Sequence, residues 1–124
     1  MKTAFLDANV LFSAALPASR LKAALKPSGL RLISSSYCEA EARRNLALYA
    51  PEAGLNVDCD LVPDCFEPLP GTENLPMKDV PVLATAMAAK ADYLVTGDRR
   101  HFGTLYGKTF GGVNVIRPRD LASL

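Results

Sequence analysis

The sequence predicts an α/β fold, a single three-layer α/β/α domain over residues 1–124 with a central parallel sheet. Short apolar runs, at residues 4–6, 30–34, 93–96 and 113–116, alternate with segments of helical pattern. Strands that alternate with helices form parallel sheets, covered on both faces and joined by right-handed crossovers. A chain of 124 residues can form one core, and 49% hydrophobic with 22% charged residues is typical of globular proteins.

The pattern of apolar residues predicts two strands and three helices in the first half of the chain. In chain order they are strand 4–6, helix 8–16, helix 19–26, strand 30–34 and helix 36–50. Pro27-Ser28-Gly29 ends the second helix, because proline and glycine interrupt helices. The third helix is capped by Ser35 or Ser36 and is stopped by Pro51.

The second half begins with an irregular segment and then becomes regular again. Residues 51–76 contain five prolines, two glycines and no sustained period, so we expect short helical turns and one strand near residues 66–69. The later elements are helix 80–91, strand 93–96, a turn and short helix from residue 97, strand 113–116 and a terminal helical turn from residue 118. Asp79 caps the first of these, and Pro81 lies in its first turn.

Three aspartates stand where a strand or a loop passes into a helix. Asp7 follows the first strand, Asp98 follows the strand at 93–96, and Asp79 opens the helix at 80–91. Each alone is explained as a helix N-cap. Parallel strands end at the same edge of a sheet, where α/β proteins bind ligands, so Asp7 and Asp98 should lie close together. Crowded carboxylates repel unless a cation neutralises them, and oxygen ligands without Cys or His favour Mg²⁺ or Mn²⁺ over zinc.

A further acid is expected from the helix at 36–50, where Glu39 and Glu41 are the candidates. They are two positions apart, about 200° around a helix, so they cannot both face one point. Glu39 has Arg43 four residues on, an ordinary surface pair. Glu41 lies on a mixed face that can turn toward the sheet edge.

The charges are unevenly distributed along the chain. The net charge is +1, yet six of the 13 acidic residues and no Lys or Arg lie between Arg44 and Lys78. The rest of the chain carries seven acids against all 14 basic residues. This balance suits a polyanionic partner, although chance asymmetry on a solvated surface also explains it.

The cysteine and hydropathy patterns indicate the cellular compartment that we expect for the protein. The three cysteines have no metal-ligand spacing and His101 is the one histidine, so a zinc site is not expected. Reduced thiols are the default in a cytoplasmic protein. No apolar run approaches the ~18 residues of a membrane span, and no signal-peptide pattern opens the chain.

Four segments match the motifs of one known family in order and in spacing. They are FLDANVLFSA, EAEARRNL, DVPVLATA and LVTGDRRHF. Through them the sequence resembles the PIN-domain nucleases, close to the VapC-like toxins of toxin–antitoxin pairs. The family's acids fall on Asp7, Glu41, Asp79 and Asp98. The resemblance spans the chain and is weakest at residues 51–76.

The resemblance implies a PIN-like fold and a metal-dependent endoribonuclease that cleaves RNA phosphodiester bonds as the toxin of a toxin–antitoxin pair. Asp7, Glu41, Asp79 and Asp98 would hold one or two Mg²⁺ or Mn²⁺ ions, which activate water for in-line attack. A cognate antitoxin and a homodimer are the partners that the resemblance suggests.

The resemblance also suggests roles for the residues around the acids. Thr96 would orient a carboxylate or a water, and Asn9 would brace the loop after Asp7. Arg99 and Arg100 would contact flanking phosphates, unless they only form a solvated turn. Some family members carry another acid or an Asn where these arginines and His101 follow Asp98. For His101 we expect packing or hydrogen bonding.

Other functions remain open at this point. A non-catalytic PIN-like module would bind RNA or a protein and keep the acids as caps. Phosphatases of the haloacid dehalogenase type need a second Asp where this chain has Asn9, and receiver domains need an acidic pair where Asp7 stands alone. No GxGxxG motif follows the first strand, which argues against dinucleotide binding.

Overall fold

A six-stranded, mostly parallel sheet forms the centre of the fold and confirms the predicted α/β class. The computed structural model describes residues 1–25 and 29–124. The elements are β1 Thr3–Leu6, α1 Ala8–Ala15, α2 Leu21–Leu25, β2 Arg31–Ser35, α3 Ser36–Tyr49, β3 Asp60–Val62, α4 Val80–Ala88, β4 Tyr93–Val95, α5 Arg99–Phe102, β5 Thr109–Phe110 and β6 Val113–Ile116. The 3₁₀ segments Gly103–Leu105 and Pro118–Ser123 follow α5 and β6. Among these residues no helix is long and apolar enough to cross a membrane.

The strand order places a reversal of the chain at the centre of the sheet. The order is β3-β2-β1-β4-β6-β5, with β5 antiparallel to β6 and the other pairs parallel. The chain builds outward from β1 to β3 and then returns to the other side of β1. Because crossovers are right-handed, helices before and after this return cover opposite faces, consistent with three layers. In open α/β sheets such a switch point is where ligands bind.

The two central strands are held in place by their burial. Phe5 and Leu6 in β1 and Leu94 and Val95 in β4 are fully buried. Strands covered on both faces need continuous apolar runs, which explains why these segments carry no alternating pattern. Each large side chain contributes about 1.5–3 kcal/mol by leaving water. The paired residues Leu6 and Val95 end the two strands side by side, which fixes the position of the next residue in each strand.

The structure corrects two of the predicted elements and leaves a third boundary untested. The strand expected near residues 66–69 is wrong, because the strand of this segment is β3, at an edge of the sheet; Pro68 and Pro70 lack the donors that a strand needs. Helix α4 ends at Ala88 rather than at residue 91, since Lys90 adopts a left-handed φ of 55°. The predicted end of the second helix, residues 26–28, lies outside the described residues.

A short hairpin was not predicted. Strand β5 has only two residues and pairs with β6. The turn between them consists of Gly111 and Gly112, whose φ angles are 54° and 87°. A two-residue hairpin turn with positive φ at both positions favours glycine. The pair of glycines was the sequence signal, but two residues are too few to show a strand period.

Gly71 packs the irregular segment against this hairpin. Its φ is 109°, and a Cβ there would lie 2.6 Å from Cδ1 of Phe110. We expect Gly71→Ala to destabilise the fold by about 1–3 kcal/mol, because both the backbone and the ring would have to move. Gly54→Ala is the matched control, since no heavy atom lies within 4 Å of its added Cβ. Urea unfolding measures both variants, and equal stabilities would contradict this packing.

Candidate metal centre

A cavity of about 250 Å³ opens at the carboxyl ends of β1 and β4. The structure brings together here the four acids on which the family resemblance falls, Asp7, Glu41, Asp79 and Asp98. We call it the acidic cavity; its lining is Asp7, Ala8, Asn9, Glu41, Asn45, Lys78, Asp79 and Asp98. Four carboxylates against one lysine make it strongly negative.

Asp7 is buried directly after β1 and is held through both of its oxygens. Its Oδ2 accepts hydrogen bonds from Oγ1 of Thr96 at 2.8 Å and from Nδ2 of Asn9 at 3.1 Å. Its Oδ1 accepts the backbone N–H of Ala8 at 2.7 Å. The carboxylate therefore has one fixed orientation at the edge of the cavity.

Burial, more than any other cause, raises the pKa of Asp7 to about 6. The negative charges of Glu41 and Asp79 raise it further, whereas the hydrogen bonds from Thr96 and Ala8 lower it. The carboxylate of Asp7 is thus well hydrogen-bonded, yet burial and the neighbouring negative charges disfavour its charged form. A cation in the cavity would stabilise that charged form.

Asn9 and Thr96 join the ends of the two central strands. Oδ1 of Asn9 accepts the backbone N–H of Gly97 at 2.7 Å, and its Nδ2 lies 3.3 Å from Oγ1 of Thr96. That Oγ1 also accepts the backbone N–H of Asp98 at 3.1 Å. These bonds fix the orientation of the Asp7 carboxylate through Thr96 and tie the loop after Asp7 to Gly97 through Asn9.

Asp79, Asp98 and His101 converge most tightly. Nδ1 of His101 lies 2.8 Å from Oδ2 of Asp79 and 3.0 Å from Oδ2 of Asp98. The contacts lack hydrogen-bond geometry, so Nδ1 of His101 and Oδ2 of Asp79 are buried without a hydrogen-bond partner among the described residues. Neighbouring ligands of an octahedral ion with bonds of about 2.1 Å are about 3 Å apart. This spacing fits a divalent cation; without one, His101 is the ion-pair partner of both carboxylates when its ring is protonated.

His101 is the residue that the sequence interpretation missed. Asp98 caps α5 by accepting the backbone N–H of His101 at 3.2 Å, and this single turn carries the ring back to the Asp98 side chain. The Asp-x-x-His spacing at a helix start was the available signal. A nitrogen donor suits Mn²⁺ better than Mg²⁺, which prefers oxygen ligands.

Capping accounts for Asp98 but not for Asp79. The Asp79 side chain makes no capping hydrogen bond at the start of α4. It is 8% exposed, and burial raises its pKa against the opposing charges of His101 and Lys78. A buried carboxylate that caps nothing needs another partner, and Asp79 has His101 beside it, or a metal ion when one is bound.

Helix α3 separates its two glutamates as expected. Glu41 and Asn45, four residues apart, line the acidic cavity. Glu39 instead forms an ion pair with Arg43, at 3.3 Å. The rotation of the helix therefore assigns the cavity to Glu41.

The two arginines after Asp98 are both exposed. Arg99 lines a separate cleft beside the acidic cavity, whereas Arg100 is absent from the linings of both. Only Arg99 is thus placed beside the site by the geometry of α5.

Comparisons with known proteins add no family to this picture. No protein-family model matches the chain, and no curated protein matches it either. The functional interpretation therefore depends on the site and on the sequence motifs.

The raised pKa values predict how stability depends on pH without metal. A carboxyl group whose folded pKa is raised stabilises the fold when protonated, and this contribution is lost as the pH rises through the folded pKa. Metal-free protein should therefore become less stable from about pH 4 to about pH 8. We expect a smaller loss in Asp79→Asn, because it removes one of the repelling charges and keeps the side-chain shape.

The exposed Asp58 provides the control, since Asp58→Asn changes the net charge equally outside the site. Thermal unfolding in a chelator at several pH values measures all three proteins. An identical pH dependence in Asp79→Asn and the native protein would contradict repulsion at Asp79.

Proposed function

We propose that this protein is a metal-dependent endoribonuclease that cleaves phosphodiester bonds in RNA. The observation that carries the proposal is the convergence of Asp79, Asp98 and His101, whose possible ligand atoms all lie within 4.8 Å of one another. Asp7 and Glu41 line the acidic cavity together with Asp79 and Asp98 at the switch point of the sheet, and His101 contacts these two aspartates from an adjoining pocket. This donor set supports Mn²⁺ or Mg²⁺ as the cofactor.

The residues of the cavity divide the work between them. When bound, the ion supplies a Lewis acid that activates water and neutralises charge on a phosphodiester. Asp79, Asp98 and His101 would hold it. Asp7 adds a carboxylate whose orientation is fixed by hydrogen bonds, and Glu41 adds one from α3. These groups would position and hydrogen-bond the water that attacks phosphorus.

RNA as the substrate is supported by the charge balance and by the motifs. Outside residues 45–77 the chain has 14 basic residues against seven acids, and Arg99 adjoins the cavity. The four-segment resemblance to PIN-domain nucleases supports the finer proposals. These are a PIN-like domain, a toxin of a toxin–antitoxin pair, a cognate antitoxin, a homodimer and a cytoplasmic location.

A non-catalytic PIN-like module is the rival function. Such a module would keep its acids as helix caps. Asp98 fits that role, but Asp79 makes no capping bond and is buried. The uncapped aspartate therefore favours a metal site over a set of caps.

Metal binding is tested by stabilisation. A ligand that binds only the folded state stabilises it by roughly 2.7 kcal/mol at a hundred times its dissociation constant. We expect Mn²⁺ to raise the melting temperature of the native protein and of Asp58→Asn, but much less that of Asp79→Asn or His101→Ala. Equal shifts in the native protein, Asp79→Asn and His101→Ala would place the ion elsewhere, and a smaller shift in Asp58→Asn would place it on the acidic segment at residues 52–73.

Catalysis is tested by the two glutamates of α3. Structured RNA is incubated with protein in Mn²⁺, in Mg²⁺ and in chelator. Glu41→Gln should lower cleavage about a hundredfold, since it removes a carboxylate from the cavity. Glu39→Gln is the matched control, because it changes the same residue type on the same helix outside the cavity. Absence of metal-dependent cleavage by native protein, or equal rates in the two variants, would contradict the proposal.

A further inference from the structure

A second cleft, of about 330 Å³, adjoins the acidic cavity. We call it the arginine cleft; its lining is Gly97, Arg99, Tyr106, Arg117, Pro118 and Arg119. Three of these residues are cationic and none is acidic. The cleft therefore has the opposite sign of charge from the acidic cavity.

A single turn after β4 forms the wall between the arginine cleft and the acidic cavity. Gly97 and Arg99 line the arginine cleft, whereas Asp98 between them lines the acidic cavity. Consecutive Cα atoms are about 3.8 Å apart, so the wall is one residue wide. A Cβ at Gly97 would lie 3.2 Å from Oδ1 of Asn9 and 3.9 Å from Cγ of Pro118, so this glycine touches both sides.

Two of the arginines have uncommitted guanidinium groups. Arg117 pairs with Asp120, with Nη2 at 3.0 Å from Oδ1 and Nε at 3.1 Å from Oδ2. Arg99 and Arg119 are exposed and form no ion pair within residues 1–25 and 29–124. A guanidinium group is a planar fork of donors that matches a phosphate group.

Tyr106 links the cleft to the candidate metal centre. Its hydroxyl donates to the carbonyl oxygen of Thr96 at 2.7 Å, and Thr96 in turn holds Asp7. The guanidinium of Arg117 lies 5.8 Å from the centre of the Tyr106 ring. Aromatic rings in basic grooves are the usual stacking platforms for the bases of single-stranded nucleic acids.

We propose that the arginine cleft binds the backbone of single-stranded RNA next to the phosphodiester that is cut. Arg99 and Arg119 contact its phosphates. The proposal rests on the nuclease function, because the acidic cavity is where the bond would be broken. An acidic polypeptide would match the charge of the cleft alone. An RNA strand that crosses the one-residue wall suits both sites, because its phosphates can bind a metal ion in the acidic cavity and arginines in the cleft.

The test measures RNA binding without cleavage. A fluorescein-labelled single-stranded oligoribonucleotide is titrated with protein in EDTA, and anisotropy gives the dissociation constant. The cleft variant is Arg99→Ala/Arg119→Ala. Arg117 is left in place because it caps the last 3₁₀ segment together with Asp120.

A charge-matched control separates the cleft from net charge. Arg31→Ala/Lys90→Ala removes two exposed cations near the amino ends of β2 and β4, whereas the site lies at the carboxyl ends of the strands. We expect the cleft variant to bind RNA at least about tenfold more weakly, and the salt slope of log K to fall by about 1.4 for two lost phosphate contacts. The control should bind within about twofold of the native protein.

Three results would overturn the inference. They are unchanged binding in the cleft variant, equal weakening in both double variants, and displacement of labelled RNA by polyglutamate as readily as by unlabelled RNA. A separate cleavage assay tests the nuclease proposal. Native protein that cuts no RNA in Mn²⁺ would overturn that proposal, whatever the anisotropy in EDTA shows.

Discussion

The structure of the site depends on the hydrogen bond from Thr96 to Asp7. The parallel register pairs Leu6 with Val95, so the next residues of β1 and β4 stand side by side, and the bond between them measures 2.8 Å. Asn9 bonds to both residues and to Gly97. This network fixes the turn after β4, and with it the start of α5 and the side chains of Asp98 and His101. One sheet register thus positions Asp7, Asp98 and His101, whereas Glu41 comes from α3 and Asp79 from the start of α4.

That arrangement carries a cost in stability, which the core offsets. Burying a charged group destabilises a fold by several kcal/mol. This is a large share of the free energy of unfolding of a typical domain, about 5–15 kcal/mol. Asp7 reduces its own cost by accepting four hydrogen bonds, one of them from the thiol of Cys38, and burial still raises its pKa to about 6. The fully buried Phe5, Leu6, Leu94 and Val95 contribute about 1.5–3 kcal/mol each. Burial of the apolar residues of β1 and β4 therefore compensates for the unfavourable burial of the carboxylate at the end of β1.

The sequence was informative where structure is determined locally. The apolar runs of β1, β4 and β6 and the spacing of Glu39 and Glu41 follow from short-range periods, which a sequence displays. The edge strand β3 could not be found, because Asp60 and Leu61 are exposed and its pairing with β2 is non-local. The place of His101 depends on α5 being a single turn. The arginine cleft joins segments on either side of β5 and β6, which only the fold brings together.

The turn at residues 97–99 keeps opposite charges from neutralising each other. Asp98 is the N-cap of α5, with φ -80° and ψ 87°, whereas Arg99 is its first helical residue, and the two side chains face different cavities although they are neighbours in the chain. Asp98 instead contacts His101, and Arg99 forms no ion pair within the described residues. An ion pair between them would occupy both the carboxylate that a cation needs and the guanidinium that a phosphate needs. The start of α5 therefore keeps both groups available, one on each side of the wall.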